Sequence, residues 1–429
     1  MKQIIFTVAL LLILAGCASP DTQVSQALTT KGQSENLTFA TAQPPQGSAA
    51  QAPTQTAMLL PTQIVPTKPV VEKQPANTPV PPPTAAAVAD ITGPDNFPQG
   101  INPLTGLPVK DPALLALPPA LISVTNFPVS ARPQAGLSFA PFVFEMYVGE
   151  GMTRFLAMFY GDFPTKPVTT NASSSKTPSD TASIGPIRSG RLPYESLRNL
   201  YNGFLVMASA SPEVGAQLKS SNNVYNPTDN DINGTMVDVT RLQAFAEASA
   251  KTKNKFNLTG NAFSVSSPAG GSPADTLQIF YNYLNQVKWT YDPASGAYLR
   301  FQDKADGSGN FYPATDRLTG KQLAFSNVVV LYARHMVLNR AGTLIDIDLL
   351  YTSGKAYLFR DGQVFPVKWT TANGLYEKTT GQLRPIRFLD KDGSPILLKP
   401  GNTWVEIVDL STLLQDSQPG IWKARFFNP

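Results

Sequence analysis

The residues with chemical potential fall in one block of the chain: Asn126, Arg132, Glu145, Glu150, Arg154, Arg188, Ser189 and Arg191, set among glycines and apolar runs. Only 15% of the chain is charged, so ionic groups inside apolar segments stand out. Glu145 lies within the apolar run 142–148, where an unpaired carboxylate would cost several kcal/mol. It needs a partner, and Arg154 on the facing strand is the natural one. Such a pair either fixes strand register or belongs to a site. Arg188 and Arg191 stand three apart at the entrance to a predicted helix. Two guanidinium forks so placed suit a carboxylate or a phosphate. In this reading Arg132, Arg154, Arg188 and Arg191 supply charge, while Asn126, Glu145 and Glu150 orient them and bond hydroxyls. A different reading makes Glu145 and Glu150 the acid and base of a glycan hydrolase.

Other chemistries are excluded or weak. The chain holds one cysteine, Cys17, and one histidine, His335. No internal disulfide forms from one thiol, and no zinc site built on several His or Cys ligands is available. Lys and Arg number 34 against 30 Asp and Glu, which makes no electrostatic case for nucleic acid. Asp229, Asp231 and Asn233, followed by Gly234, match the opening of a calcium loop. The closing Glu is missing, since Thr240 holds its position. An Asx-rich turn is the expected reading, with structural calcium as the alternative and no other cofactor implied.

The elements that must position these groups form an α+β arrangement, a mixed first domain followed by a β-rich second. The first runs from 97 to 265. Residues 142–148 and 152–160 read as a hairpin around Gly149-Glu150-Gly151. Helices are expected at 192–202 and at 240–250, the latter capped by Thr240, with a strand at 204–208. Residues 165–183 form a low-complexity surface loop. The second domain, 275–429, reads as successive strands at 276–283, 287–291, 297–301, 327–333, 344–351, 355–360, 363–369, 386–389 and 396–398. Residues 403–408 close the set. Asp361-Gly362 is a strong hairpin signal.

The N-terminus carries its own message. Lys2 precedes an apolar run from Ile4 to Leu14, too short for a permanent membrane span and suited to a signal peptide over 1–16. Leu14-Ala15-Gly16-Cys17 reads as a lipobox, with Cys17 the lipidation site. Residues 17–95, rich in Pro, Thr, Ala and Gln, form a tether unable to bury enough apolar surface to order itself. The expected product is an extracytoplasmic protein held to a bacterial bilayer through acyl chains on Cys17.

Several blocks in order carry a family resemblance. These are Asn102-Pro103-Leu104-Thr105-Gly106, then Ala131-Arg132-Pro133-Gln134-Ala135-Gly136-Leu137. Glu145 with Gly149-Glu150-Gly151-Met152-Thr153-Arg154 follows, and then Ile184-Gly185-Pro186-Ile187-Arg188-Ser189-Gly190-Arg191 and Gly401-Asn402-Thr403-Trp404-Val405. Together they resemble the YerB-like lipoprotein family over residues 100–429. The resemblance implies two domains and lipid anchoring outside the cytoplasm; it assigns no activity. Met207–Pro212 departs from the His- and Gly-richer segment expected there. The reading that follows is non-catalytic binding of an anionic or polyhydroxylated envelope component, or of a protein partner, with an envelope hydrolase as the alternative.

Overall fold

The computed structural model describes residues 91–164, 182–225, 234–253 and 255–429. Cys17, Asp229, Asp231, Asn233 and most of the 165–183 loop lie outside the described residues. At the other end of the expected tether the chain is already tied down at Thr92, whose N–H donates to the carbonyl of Phe263 at 2.9 Å and whose carbonyl accepts from the Phe263 N–H at 2.8 Å.

The first half comprises β1 (Ala120–Val124), the hairpin β2 (Phe142–Gly149) and β3 (Met152–Phe159), α1 (Pro193–Leu200), β4 (Phe204–Met207), β5 (Ser221–Asn223) and α2 (Val239–Ala250). The second half opens with the meander β6 (Thr276–Asn282), β7 (Asn285–Asp292) and β8 (Ala297–Asp303). It continues with β9 (Asn327–Tyr332), the hairpin β10 (Ser353–Arg360) and β11 (Gln363–Thr370), α3 (Leu375–Thr380) and β12 (Thr403–Val408). Two further strands, β13 (Leu413–Gln418) and β14 (Ile421–Arg425), end it.

Both halves share one mixed sheet of eleven strands, whose main order is β11-β10-β9-β12-β2-β3-β1-β4-β5. The join is β12. It lies parallel to β9 on one side and parallel to β2 on the other, and places Glu406 level with Glu145. A seven-stranded sheet built on β8-β7-β6-β14-β13 packs over one face of this join. The other face is covered by α1, by the short parallel pair of residues 262–263 and 397–398, and by irregular chain near Leu258 and Ile386. Covered on both faces, β2, β9 and β12 are buried from end to end, which is why they read as nearly unbroken apolar runs.

Local chemistry accounts for most boundaries. Asp361 and Gly362 take φ values of 53° and 70°, the two left-handed positions of a tight hairpin turn between β10 and β11. Helix α1 carries proline in its first turn and an Arg198–Glu195 pair at 2.7 Å. The cap of α2 is Asp238 instead of Thr240: its carboxylate accepts from the Arg241 N–H at 2.8 Å, so the helix starts one residue early. The expected strand at 344–351 shortens to Ile345–Ile347. Residues 403–408 do not close the set but occupy its middle, and β13 and β14 follow. Strand β13, Leu-Leu-Gln-Asp-Ser-Gln, is mostly exposed and lacks apolar alternation, so no pattern announces it. The architecture is β-rich throughout, with few helices.

Candidate functional site

The residues expected to form one constellation divide into two groups on opposite faces of the shared sheet. The hairpin register decides this. Glu145 lies opposite Phe155, and Arg154 lies opposite Met146. Side chains alternate along a strand, so Glu145 and Arg154 face opposite ways. The expected Glu145–Arg154 pair therefore does not exist.

The true partner of Glu145 is Arg300 on β8, 155 residues later, at 2.8 Å. Arg300 also reaches Glu406 at 3.3 Å, so one guanidinium bridges two strand-paired carboxylates between the sheets. The three side chains are 0–1% exposed. Thr153 donates to Glu145 at 2.7 Å, while Trp289 and Tyr281 donate to Glu406 at 3.0 and 2.9 Å. Aromatic rings surround the cation, with Trp404 centred 4.2 Å from it. Burial, then the charge of Glu145, push Glu406 up to about 8, against the pull of Arg300. The native state thus retains a proton that an unfolded carboxyl releases near 4.5. Stability from this group is fully present below about 4.5 and is lost as pH rises through about 8. Glu406→Gln is expected to flatten the fall in Tm over that window in a thermal denaturation series. A slope equal to wild type would mean Glu406 is ionised in the native protein.

Asn126 and Arg132 extend the same network. Asn126 donates to Thr153 Oγ1 at 2.8 Å, and Arg132 Nε donates to the Asn126 carbonyl and Oδ1, both at 3.2 Å. The Arg132 guanidinium also binds the Asp303 carbonyl at 3.1 Å and lies 4.7 Å from the centre of the Phe127 ring. A cavity of about 210 Å³ opens here, walled by Val129, Pro133, Phe155, Tyr312 and the two arginines 132 and 300. The carboxylate of Glu145 and the Nε and Nη1 groups of Arg132 are spent within the protein, while Arg132 Nη2 is buried with no partner among the described residues.

Arg154, Arg188, Ser189 and Arg191 do come together, on the other face. Arg154 Nη1 donates to the Ser189 carbonyl at 3.1 Å, and Arg191 Nη1 to the Gly190 carbonyl at 2.9 Å. Ser189 participates through its backbone: the same carbonyl accepts from the Ser123 hydroxyl at 3.1 Å, which in turn contacts the Tyr194 hydroxyl at 3.2 Å. Among the described residues, none of these three arginines makes a salt bridge. Their three Nε atoms are buried, with no partner among those residues. Burial lowers Arg154 to about 9, with the charges of Arg191 and Arg188 adding to the effect and Tyr194 opposing it. Burial followed by Arg191 lowers Arg188. The three guanidinium groups form a concentration of positive charge with no carboxylate paired to it among the described residues. A polar cavity of about 330 Å³ adjoins Arg191, bordered by Ser211, Glu213, Asn339 and Thr343.

Glu150 joins neither group. It sits at the exposed tip of the β2–β3 hairpin with φ 54°, between two glycines also at positive φ. With Glu145 sealed and Glu150 outside, the two carboxylates cannot flank a glycosidic bond, which removes the geometric basis of the expected acid–base pair. His335, the chain's one histidine, is buried at a strand end, with Nε2 lacking a partner among the described residues. Its ring binds the Ala333 carbonyl at 3.0 Å, and burial lowers its pKa. Sequence reading missed Arg300 and Glu406. The signal existed: Glu406 interrupts an apolar strand just as Glu145 does, and Arg300 lies in the alternating segment Tyr298–Gln302.

Comparison with known proteins places the chain. Residues 104–265 match the family described as Protein of unknown function (DUF3048) N-terminal domain, and residues 277–405 match its C-terminal domain. The chain belongs to this YerB-like two-domain family. It is 28% identical over 331 residues to the Bacillus subtilis (strain 168) protein named "Putative lipoprotein YerB", covering 73% of this chain and 88% of that protein. The crystal structure of YerB protein from Bacillus subtilis is similar, with a TM-score of 0.54 and 27% identity. That match covers 72% of this chain and 96% of the other.

Proposed function

We propose that this chain is a lipid-anchored extracytoplasmic protein that binds an anionic envelope component, without turnover, through Arg154, Arg188 and Arg191. Support for the anchor comes from the lipobox at 14–17 and from the naming of the Bacillus subtilis relative as a lipoprotein. Support for binding comes from one observation above all: three clustered guanidinium groups have no carboxylate partner among the described residues. Arg198, Arg300 and Arg387 have such partners, and Arg132 and Arg317 are held singly by backbone carbonyls, whereas Arg154, Arg188 and Arg191 lie close enough for their charges to oppose one another. A cationic cluster without internal compensation gains most from an external anion, because the ligand offsets both burial and mutual repulsion. The proline-rich segment 17–90 would give the folded part reach from the bilayer.

The test is binding to purified anionic cell-wall polymer, followed by calorimetry at low and high salt. Changing Arg188→Gln and Arg191→Gln together is expected to weaken binding by at least about tenfold, the loss of one charge-assisted hydrogen bond or more. Unchanged affinity in this variant would refute the reading.

A further inference from the structure

The cluster and its neighbouring cavity differ in chemistry, and the difference points to a class of ligand. Resting on the anion-binding reading above, we infer that the site takes a phosphate ester of a polyhydroxylated compound. The phosphate would lie among Arg154, Arg188 and Arg191, and the hydroxyl-bearing part in the cavity beside them.

Two features favour phosphate over carboxylate. First, three cations lie together with no salt bridge among the described residues, and the nearby carboxylate of Glu213, across the cavity's lining from Arg191, leaves the cluster with a net positive charge. A phosphomonoester carries about −1.5 to −2 at neutral pH, whereas a carboxylate carries one charge. Second, the guanidinium groups of Arg188 and Arg191 are on partly exposed side chains without a carboxylate partner, and the buried Arg154 charge lies beside them. A phosphate offers three terminal oxygens to three forks, while a carboxylate offers two. One backbone carbonyl, that of Ser189, already holds Arg154 in place, so its orientation precedes any ligand.

The adjoining cavity is built for hydroxyl groups. Arg191 borders it and links it to the cluster. Ser211, Glu213, Asn339 and Thr343 line it with polar groups, and Leu192, Val214, Leu344 and Ile345 complete the wall. Asn339 fixes the 339–343 loop, accepting from the N–H groups of Thr343 and Leu344 and donating to the Thr343 hydroxyl. The carboxylate of Glu213 has no bonded partner among the described residues. A free carboxylate accepts hydrogen bonds from hydroxyls and repels a second anionic group. The cavity therefore suits a neutral polyol or sugar and disfavours a second phosphate.

The experiment is isothermal calorimetry of the full chain in detergent, titrated with glycerol phosphate, inorganic phosphate, glucuronate and glycerol. Glycerol phosphate is expected to bind best, inorganic phosphate more weakly, and glucuronate and glycerol least. Arg188→Gln should weaken both phosphates by about tenfold, the size of one charge-assisted hydrogen bond. Glu213→Gln should erase only the advantage of glycerol phosphate over inorganic phosphate. Both positions are at least partly exposed, so the fold should tolerate either change. Glucuronate binding as tightly as glycerol phosphate, with loss in Arg188→Gln, would overturn the phosphate assignment and leave the anion site standing. Phosphate binding that ignores Glu213→Gln would overturn the role of the cavity. Phosphate binding indifferent to Arg188→Gln would mark an adventitious ion only and overturn the inference. No anion binding at all would overturn the underlying reading with it.

Discussion

The first half of the chain, cut after residue 270, is expected to remain unfolded or to aggregate when expressed alone. Strand β12 comes from the far end of the sequence, yet it is the neighbour of β2 in the middle of the sheet. Removing it turns β2, buried along its whole length, into an exposed apolar edge, and such edges pair with other chains. The same cut removes Arg300 and strands Glu145 without a counter-ion, and it strips the covering sheet from Tyr147 and Phe155. The family's two domain models thus describe two sequence segments that share one core. Far-ultraviolet circular dichroism and size-exclusion chromatography of residues 91–270 check this. A monomeric fragment with a cooperative thermal transition would show that the first half folds without β12.

Arg300→Met is expected to be the most damaging single substitution, lowering stability by about 3–5 kcal/mol, the range for breaking one side of a buried ion pair. The change leaves two carboxylates at the same level of adjacent parallel strands, each buried, with no cation between them. Losing Arg300 removes a pull that lowers the Glu406 pKa, so folding retains that proton more strongly and the loss should be larger at pH 8 than at pH 5. Adding Glu145→Gln and Glu406→Gln to the same chain should recover part of it, because neutral amides fit the remaining donors Thr153, Trp289 and Tyr281. Chemical denaturation at the two pH values reads the effect. A cost below about 1 kcal/mol, the size of an exposed pair, would show that the triad is not sealed.

Much of this architecture is legible in sequence because β-strands buried on both faces write themselves as apolar runs. The hairpin at 142–159, the Asp361-Gly362 turn and the strands at 327–332 and 403–408 are of that kind. The pairing of those strands is not legible, since nothing local says that 403–408 lies between 327–332 and 142–149. The candidate site shows the same division. Arg188, Ser189 and Arg191 meet Arg154 because a short stretch of chain crosses beside β1, where the Arg188 N–H donates to the Ser123 carbonyl at 2.9 Å. Residue types flagged the group, though not which face it would occupy. The Glu145–Arg154 expectation failed by one residue of register. A single bulge at Val148, between Tyr147 and Gly149, sets that register, and the odd-numbered residues of β3, Thr153 and Phe155, join Glu145 while Arg154 turns away. Arg300 could not be chosen over other arginines without knowing that a second sheet would lie across the join.

In the proposed binding mode, three guanidinium groups on the helix-covered face of the sheet engage an anionic ligand. Arginine-selective nitrogen-15 NMR reads those groups directly, with the Nε–H signals of residues 154, 188 and 191 assigned through single Gln variants. On addition of purified anionic wall polymer, all three signals are predicted to shift together and to saturate, while the signals of Arg132 and Arg300 stay in place. Saturable binding that leaves those three unmoved, or shifts confined to Arg132 and Arg300, would contradict it.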